Sequence, residues 1–377
     1  MPFLQGTYPP EILILILLFF LMGVIQLLFI WILHSRLGLT RQASGNDTLR
    51  PVSVIICAKD EHHNLKENLP FILHQDYPTF EVIVVNDASE DETGYLLEDL
   101  AKDYPHLKPV TIHSDLNFFK GKKFPLSIGI KSAHYPHILL TDADCRPASR
   151  HWLKLMQSHF SEEKKIVLGY GGYRTRNSFL HFLVRFDTVT TAMRYLSWAL
   201  AGIPYMGVGR NLAYHSKLFF DEGGFMKHYS IPSGDDDLFI NKVATRRSTA
   251  VVSEPDAFTL SKAPERFGLW VRQKRRHLLT GGHYKASHRY LLGLDWLSSF
   301  IFWGLFIALM VLGVEPIIVA GVFIIRMLSY GFILKKTMLR LQERDLLLLS
   351  PVLEVFFLIF TPLLILSNKL FRKTRWK

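Results

Sequence analysis

Cysteine is almost absent: Cys57 and Cys145 are the two in 377 residues. One pair cannot make a disulfide framework, and no CxxC is present. The scarcity fits a reducing compartment. Also missing are GxGxxG, Walker A and HExxH patterns, and no Ser–His–Asp order stands out. Gly207–Val208–Gly209–Arg210–Asn211–Leu212 is glycine-rich but lacks the spacing of a Rossmann or P-loop fingerprint. There is no internal repeat and no low-complexity tract. A signal peptide is the competing reading of the first apolar run, and it would want a positive start, but no Lys or Arg precedes that run, which starts beside Glu11.

Apolar residues make up 49% of the chain, concentrated at its two ends. Ile12 to Leu33 is nearly unbroken, with Gln26 its one strongly polar residue. About 20 such residues cross a ~30 Å hydrocarbon core. Trp296–Gly313 and Pro316–Leu334 read as two further helices joined by a turn at Val314–Glu315–Pro316. Leu346–Ser367 is a third C-terminal run, holding Pro351, Glu354 and Pro362. It reads as a span or as a re-entrant hairpin, and Glu354 should face protein or water.

The net charge is +11. Its clusters flank the apolar runs: His34–Arg36–Arg41, Lys335–Lys336, Arg340–Arg344 and Lys369–Lys377. No nucleic-acid module accompanies them, so we assign them to the membrane surface and expect no nucleic acid as partner. Positive charge after Leu33 places the following residues in the cytoplasm. The expected organisation is a membrane helix over 11–34, a cytoplasmic domain over 50–290, a membrane region over 295–368 and a basic tail over 369–377. Asn46–Asp47–Thr48 then matches a glycosylation acceptor by chance, in a cytoplasmic linker.

Between the apolar ends, strands alternate with helices. Val52–Cys57, Glu81–Val85, Pro109–His113 and His137–Thr141 read as strands. Leu65–His74, Glu90–Asp103 and Lys123–His134 read as helices. That alternation predicts an α/β fold with a mostly parallel sheet. Ligands of such sheets bind beyond the carboxyl ends of the strands. Two strands end in acids, Asp87 and Asp142. Ser89, Glu90 and Asp91 read instead as the cap and first turn of a helix. Phe179–Leu200 is helical in period, and lies on the membrane surface or in the core.

Asp142–Ala143–Asp144 places two carboxylates at a strand end, where both can meet one hard cation, Mg²⁺ or Mn²⁺, shared with substrate phosphates. Ser233–Gly234–Asp235–Asp236–Asp237 packs three carboxylates before an apolar run. Like charges this close raise at least one pKa, and a poised carboxylate serves as general base. Gln273–Lys274–Arg275–Arg276–His277 either neutralises a diphosphate or anchors the chain at the interface.

Together, over about Pro51–His283, these motifs resemble the membrane-bound family 2 glycosyltransferases, of the cellulose-synthase-like and dolichol-phosphate-mannose-synthase-like kind. The resemblance implies a GT-A nucleotide-sugar fold and an inverting displacement with Mg²⁺ or Mn²⁺. Val52 through Glu61 looks like the first strand and donor-binding turn, which brings in Ala58 and Glu61. Asp87 matches the nucleotide-contacting aspartate. Lys120 and Lys122 resemble the lysines that approach the donor. Asp142 and Asp144 match the metal-binding DxD, with Asp142 also on the donor. Gly209 and Asn211 fall on the acceptor-side loop. The base is Asp235 counting back from Leu238, or Asp236 if Gly234–Asp235–Asp236 is a GDD variant; Asp235 is preferred. Gln273 and Arg276 match QxxRW, but His277 stands where that motif has tryptophan. In polymerising members the tryptophan holds the growing chain, so its absence counts against processive synthesis.

The implied partners are a UDP- or GDP-linked sugar, a lipid-linked or glycan acceptor, and a membrane, with the plasma (inner) membrane as the address. The alternatives are a processive polysaccharide synthase and a non-catalytic membrane scaffold that keeps the sheet.

Overall fold

A computed structural model describes residues 8–41, 45–113, 121–176, 178–231 and 233–370. Its ten strands are β1 (Val52–Ala58), β2 (Phe80–Asp87), β3 (Leu107–Ile112), β4 (His137–Leu140), β5 (Arg146–Pro147), β6 (Ile166–Leu168), β7 (Gly171–Tyr173), β8 (Leu212–His215), β9 (Thr249–Val251) and β10 (Thr259–Ser261). Seven form one sheet in the order β3-β2-β1-β4-β8-β6-β9, and β5-β10-β7 form a second. The large sheet is parallel from β3 to β4, as the alternation predicts, but β8 runs antiparallel between β4 and β6. The fold class is mixed α/β.

Helix α1 (Pro10–Leu28) continues through a π-helical turn at Phe29–His34 into α2 (Ser35–Leu39). The central helices are α3 (His62–Leu73), α4 (Thr93–Asp103), α5 (Lys123–Ser132), α6 (Trp152–Gln157), α7 (Phe179–Leu200), α8 (Ser216–Asp221), α9 (Asp237–Val243) and α10 (Phe267–Leu278). The chain ends in α11 (Ala286–Val311), α12 (Pro316–Arg340) and α13 (Ser350–Leu370). Among the described residues, four helical stretches are long and apolar enough to cross a membrane: Pro10–Leu39, Ala286–Val311, Pro316–Arg340 and Ser350–Asn368. Helix α11 begins well before Trp296, taking in Arg289 and other polar residues that sequence periodicity left out.

Strand β1 is apolar on both faces because both are covered. Val54 and Ile56 pack with Leu65 and Leu69 of α3, while Ile55 packs with Leu126 and Ile130 of α5. Burying one such side chain contributes about 1.5–3 kcal/mol. Gly129 lets α5 approach: a Cβ there would lie 2.6 Å from Cγ2 of Ile55. Helix α4 starts at Thr93 rather than Glu90. The Ser89 hydroxyl accepts from the Asp60 amide at 3.0 Å, and Asp91, not Ser89, accepts from the first helical N–H at 2.9 Å.

Helix α13 is tied to the α/β domain on both sides of its length. Ahead of it, Arg185 of α7 donates from Nε to Glu343 at 2.7 Å and from Nη1 to Asp345 at 2.8 Å. Midway, Phe360 stacks on Trp270 of α10 with centroids 5.4 Å apart. Near its end, Nε of Arg275 donates to Asn368 at 2.7 Å, and the Asn368 amide returns a bond to the Arg275 carbonyl.

Arg185 and Glu343 are both buried. Replacing Arg185 by Met leaves the Glu343 carboxylate without its counter-ion, and such losses cost about 3–5 kcal/mol. The Arg185→Met protein should therefore unfold markedly earlier in thermal melts in detergent. An unchanged midpoint would contradict the role given to this pair.

Candidate active site

Register fixes where the strands end. Val52 to Ile55 of β1 pair with His137 to Leu140 of β4, and Val52 to Ala58 pair with Phe80 to Asn86 of β2. The three carboxyl ends therefore reach one edge, where Ala58, Asp87 and Asp142 follow or finish the strands. Two loops at this edge are laced together. The Glu61 amide donates to Thr93 Oγ1 at 3.1 Å, the His62 amide to Asp91 at 3.1 Å and the Glu90 amide to Asp60 at 2.8 Å. Asp60 (φ 53°) and Ala88 (φ 49°) take left-handed backbone there. Such conformations cost on the order of 1–3 kcal/mol and persist where the surroundings enforce them.

Asp142 pairs with Lys122, which stands just ahead of α5. Burial alone would raise the Asp142 carboxyl; Lys122, with Arg210 and Arg276 beyond, outweighs it and holds the group low. Burial and the Asp142 charge push Asp144 up. The Cys145 amide closes a turn onto the Asp142 carbonyl at 3.0 Å. Ligand atoms of Asp142, Asp144 and Cys145 lie within 4.8 Å of one another. Burial drives the Cys145 thiol well above its usual range, so it stays protonated, and Sγ donates to Asp144 at 3.4 Å. The donor set is therefore two carboxylates, which suits a hard divalent cation.

The three consecutive acids of 235–237 separate by their hydrogen bonds. Asp236 accepts from the Gly209 amide and from the Asp237 amide, each at 2.7 Å. Asp237 accepts from the Leu238 amide and the Tyr284 hydroxyl at 2.7 Å, and also from Thr280. Asp235 accepts no hydrogen bond among the described residues and lines the same cavity as Asp142 and Lys122. Gly234 (φ +96°) makes the turn, and a Cβ there would meet Leu238 at 2.5 Å.

That cavity has a volume of about 1080 Å³. Gln273, Arg276 and His277 of α10 line it, as do Gly209 and Arg210. Gln273 reaches the Tyr173 hydroxyl at 3.5 Å. Burial, with Arg276, Arg210 and Lys274 nearby, pushes the His277 imidazole down to about 3, so the ring is neutral.

Not every expected residue is on the cavity wall. Asn211 is fully buried behind it: its amide donates to the Tyr170 and Ala257 carbonyls, and its oxygen accepts from Trp152. Ala58 and Glu61 sit at the laced loop edge, where Glu61 holds Asn64. Asp87 ends β2 at that edge. Lys120 lies outside the described residues. Arg210 was not singled out in the sequence, yet its guanidinium lies 4.6 Å over the Tyr173 ring and bonds Ser261 at 3.0 Å, beside the acidic pair. A lone arginine in a glycine-rich loop gives no sequence signal of that position.

Residues 53–219 match the family described as Glycosyl transferase family 2. The chain is 28% identical over 238 residues to a probable glycosyltransferase, YdaM, of Bacillus subtilis, covering 60% of this chain and 54% of that protein. It is 24% identical over 242 residues to a poly-beta-1,6-N-acetyl-D-glucosamine synthase of Staphylococcus aureus, covering 63% and 56%. The chain thus spans about half the length of these relatives. In fold it resembles the mannosyltransferase PcManGT from Pyrobaculum calidifontis, solved with GDP-Man and Mn²⁺, with a TM-score of 0.59 at 19% identity over 87% of this chain and 98% of that one. The segment 53–219 thus matches the family 2 glycosyltransferases, within a GT-A-like α/β domain set between helices apolar enough to span a membrane.

Proposed function

We propose that this enzyme is an inverting, metal-assisted transferase. It takes a sugar from a UDP- or GDP-linked donor and passes it to a lipid-linked or glycan acceptor at the membrane. The observation that carries this is the unengaged Asp235 carboxylate, which shares one cavity with Asp142, Lys122 and Arg276.

Asp142 and Asp144 would hold Mg²⁺ or Mn²⁺, which neutralises charge on a diphosphate leaving group. Lys122, Arg210 and Arg276 add positive charge on the same side. Asp235 takes the proton of an acceptor hydroxyl while that oxygen bonds to the anomeric carbon. The bond from that carbon to the diphosphate breaks in the same step, so configuration inverts and no sugar–enzyme bond forms. Asp236 and Asp237 position this base: their oxygens are committed to Gly209, Thr280 and Tyr284. His277, neutral, offers one acceptor and one donor to sugar hydroxyls. The synthase relatives favour a second reading, repeated transfer into a polymer; the mass distribution of the product decides it.

Positive charge following the first apolar helix supports a cytoplasmic domain at the plasma membrane. Because α13 is fastened to the domain before and near its end, residue 370 stays on the domain's side and α13 does not cross. In a background without other reactive thiols, Leu370→Cys should react with a membrane-impermeant maleimide only after cells are opened. Labelling of intact cells would refute this topology.

Purified protein supplied with UDP- and GDP-sugars should release nucleotide diphosphate, and EDTA should stop it. Asp144→Ala should lose turnover, and Asp235→Asn should lose transfer by about 10²–10⁴-fold while still binding donor. Full activity in both variants would sink the proposal.

Asp236 gives a pH test. Burial, then Asp235 and Asp237, push its carboxyl from 3.8 up to about 8. A raised folded-state value favours folding below the unfolded value, and that gain is lost as pH climbs to about 8. Asp236→Asn should therefore flatten the decline of unfolding midpoint from about pH 4 to about pH 8, at a lower overall midpoint. An unaltered profile would contradict the assignment.

A further inference from the structure

The cavity holding the candidate base does not stop at the α/β domain. Its far half is walled by Gln26, His34, Asp295, Arg326 and Glu354, all from helices apolar enough to cross a membrane. Ionisable groups at that level are costly and mark sites by default. Arg326 is 2% exposed. Its Nη1 donates to Glu354 Oε2 at 2.7 Å and its Nη2 to Gln26 Oε1 at 2.9 Å, yet Nε has no partner among the described residues. His34, also buried, has neither ring nitrogen hydrogen-bonded; Nε2 stands 3.5 Å from Asp295. Two buried donor-bearing side chains are thus left incomplete on one cavity wall, and a buried donor without a partner costs about 1–3 kcal/mol.

Most charges along this wall are paired: Arg326 with Glu354, Lys274 with Asp187, and Arg194 lies 3.9 Å from Asp295, while the exposed Arg289 donates to the Gly282 carbonyl. A site for a free anion would carry excess positive charge. Balanced donors and acceptors beside aromatic faces, here Trp270 and Tyr330, suit a neutral group rich in hydroxyls. Much of the remaining wall is apolar, supplied by α7, α11 and α13. Leu358, Thr361 and Ile365 line the cavity, and Ile365 and Leu366 are exposed. Helix α13 is 21 residues, about 32 Å at 1.5 Å per residue. That could cross a bilayer, but Arg185 on the segment just ahead of it and Arg275 near its end hold it along the domain-facing side of the membrane. A helix so placed meets the boundary between headgroups and acyl chains.

We propose that the acceptor is a glycolipid: its sugar headgroup occupies the membrane-level half of the cavity, its hydroxyl reaches Asp235, and its hydrocarbon tail leaves along α13 into the bilayer. This rests on the transferase reading and names the acceptor class of that site.

The test uses the full chain in nanodiscs, with radiolabelled dodecyl maltoside and radiolabelled maltose as probes and empty discs as background. Dodecyl maltoside should bind saturably, at least roughly tenfold tighter than maltose, because the tail is buried. Ile365→Trp, which fills the tail path, and Arg326→Met, which removes the headgroup donor, should each weaken dodecyl maltoside binding by roughly tenfold. Ile317→Trp, on an exposed position away from the cavity, should not. Absence of saturable binding, equal binding of maltose, or indifference to Ile365→Trp overturns the proposal; tighter binding of a long soluble maltooligosaccharide does so in favour of a growing glycan. Hydrolysis of UDP- and GDP-sugars is measured on the same discs. Intact hydrolysis without probe binding defeats the glycolipid alone, whereas absent hydrolysis with intact probe binding defeats the transferase reading.

Discussion

Parallel pairing of β1 with both β2 and β4 is the constraint on which the rest depends. Parallel strands need a crossover between them, so each strand must leave the sheet at its carboxyl end and return through a helix. Three such ends meet at one edge. Backbone amides and turns concentrate there, and side chains such as Asp142 project from a rigid platform. Gly129 lets α5 lie close to Ile55, and α5 in turn sets Lys122 beside Asp142.

Electrostatics completes the site. Asp142 and Asp235 line one cavity, with Asp144 beside Asp142, and burying like charges is tolerated only with compensation. Lys122 and Arg210 supply part of it. The acids of 235–237 show how identical residues divide their work. Asp236 and Asp237 spend their oxygens on Gly209, Thr280 and Tyr284, which fixes the turn. Asp235 is thereby held on the cavity wall with its own oxygens open. A triple-aspartate run thus splits into two hydrogen-bonded members and one whose oxygens face the cavity.

Much of this was legible in the sequence. Apolar runs announced the strands and the long helices, and strand-end acids announced the edge where ligands bind. Antiparallel β8 was not legible, because strand direction is set by long-range pairing rather than by local pattern. Neither was the division among Asp235, Asp236 and Asp237, where hydrogen bonds from Gly209 and Tyr284 engage the last two. Asn211 misled for a related reason. A polar residue in a glycine-rich loop reads as exposed, yet three buried partners absorb its amide. The course of α13 was left open between a span and a hairpin, since length and hydropathy are the same for a crossing helix and one lying flat; the segment Ser350–Leu370 is one helix, held near its end by Arg275.

The domain and the long apolar helices share one cavity, which on the proposed reading joins sugar chemistry to membrane access in one site. The central claim is that Asp142 and Asp144 present a divalent metal and a nucleotide diphosphate to an acceptor activated by Asp235. An experimental structure of the full chain soaked with Mn²⁺ and UDP or GDP tests it most directly. The account predicts anomalous Mn²⁺ density bonded to carboxylate oxygens of Asp142 or Asp144, with the diphosphate on its open side facing Asp235. Metal bound at Asp236 or Asp237, or nucleotide bound without contact to the 142–144 turn, would contradict it.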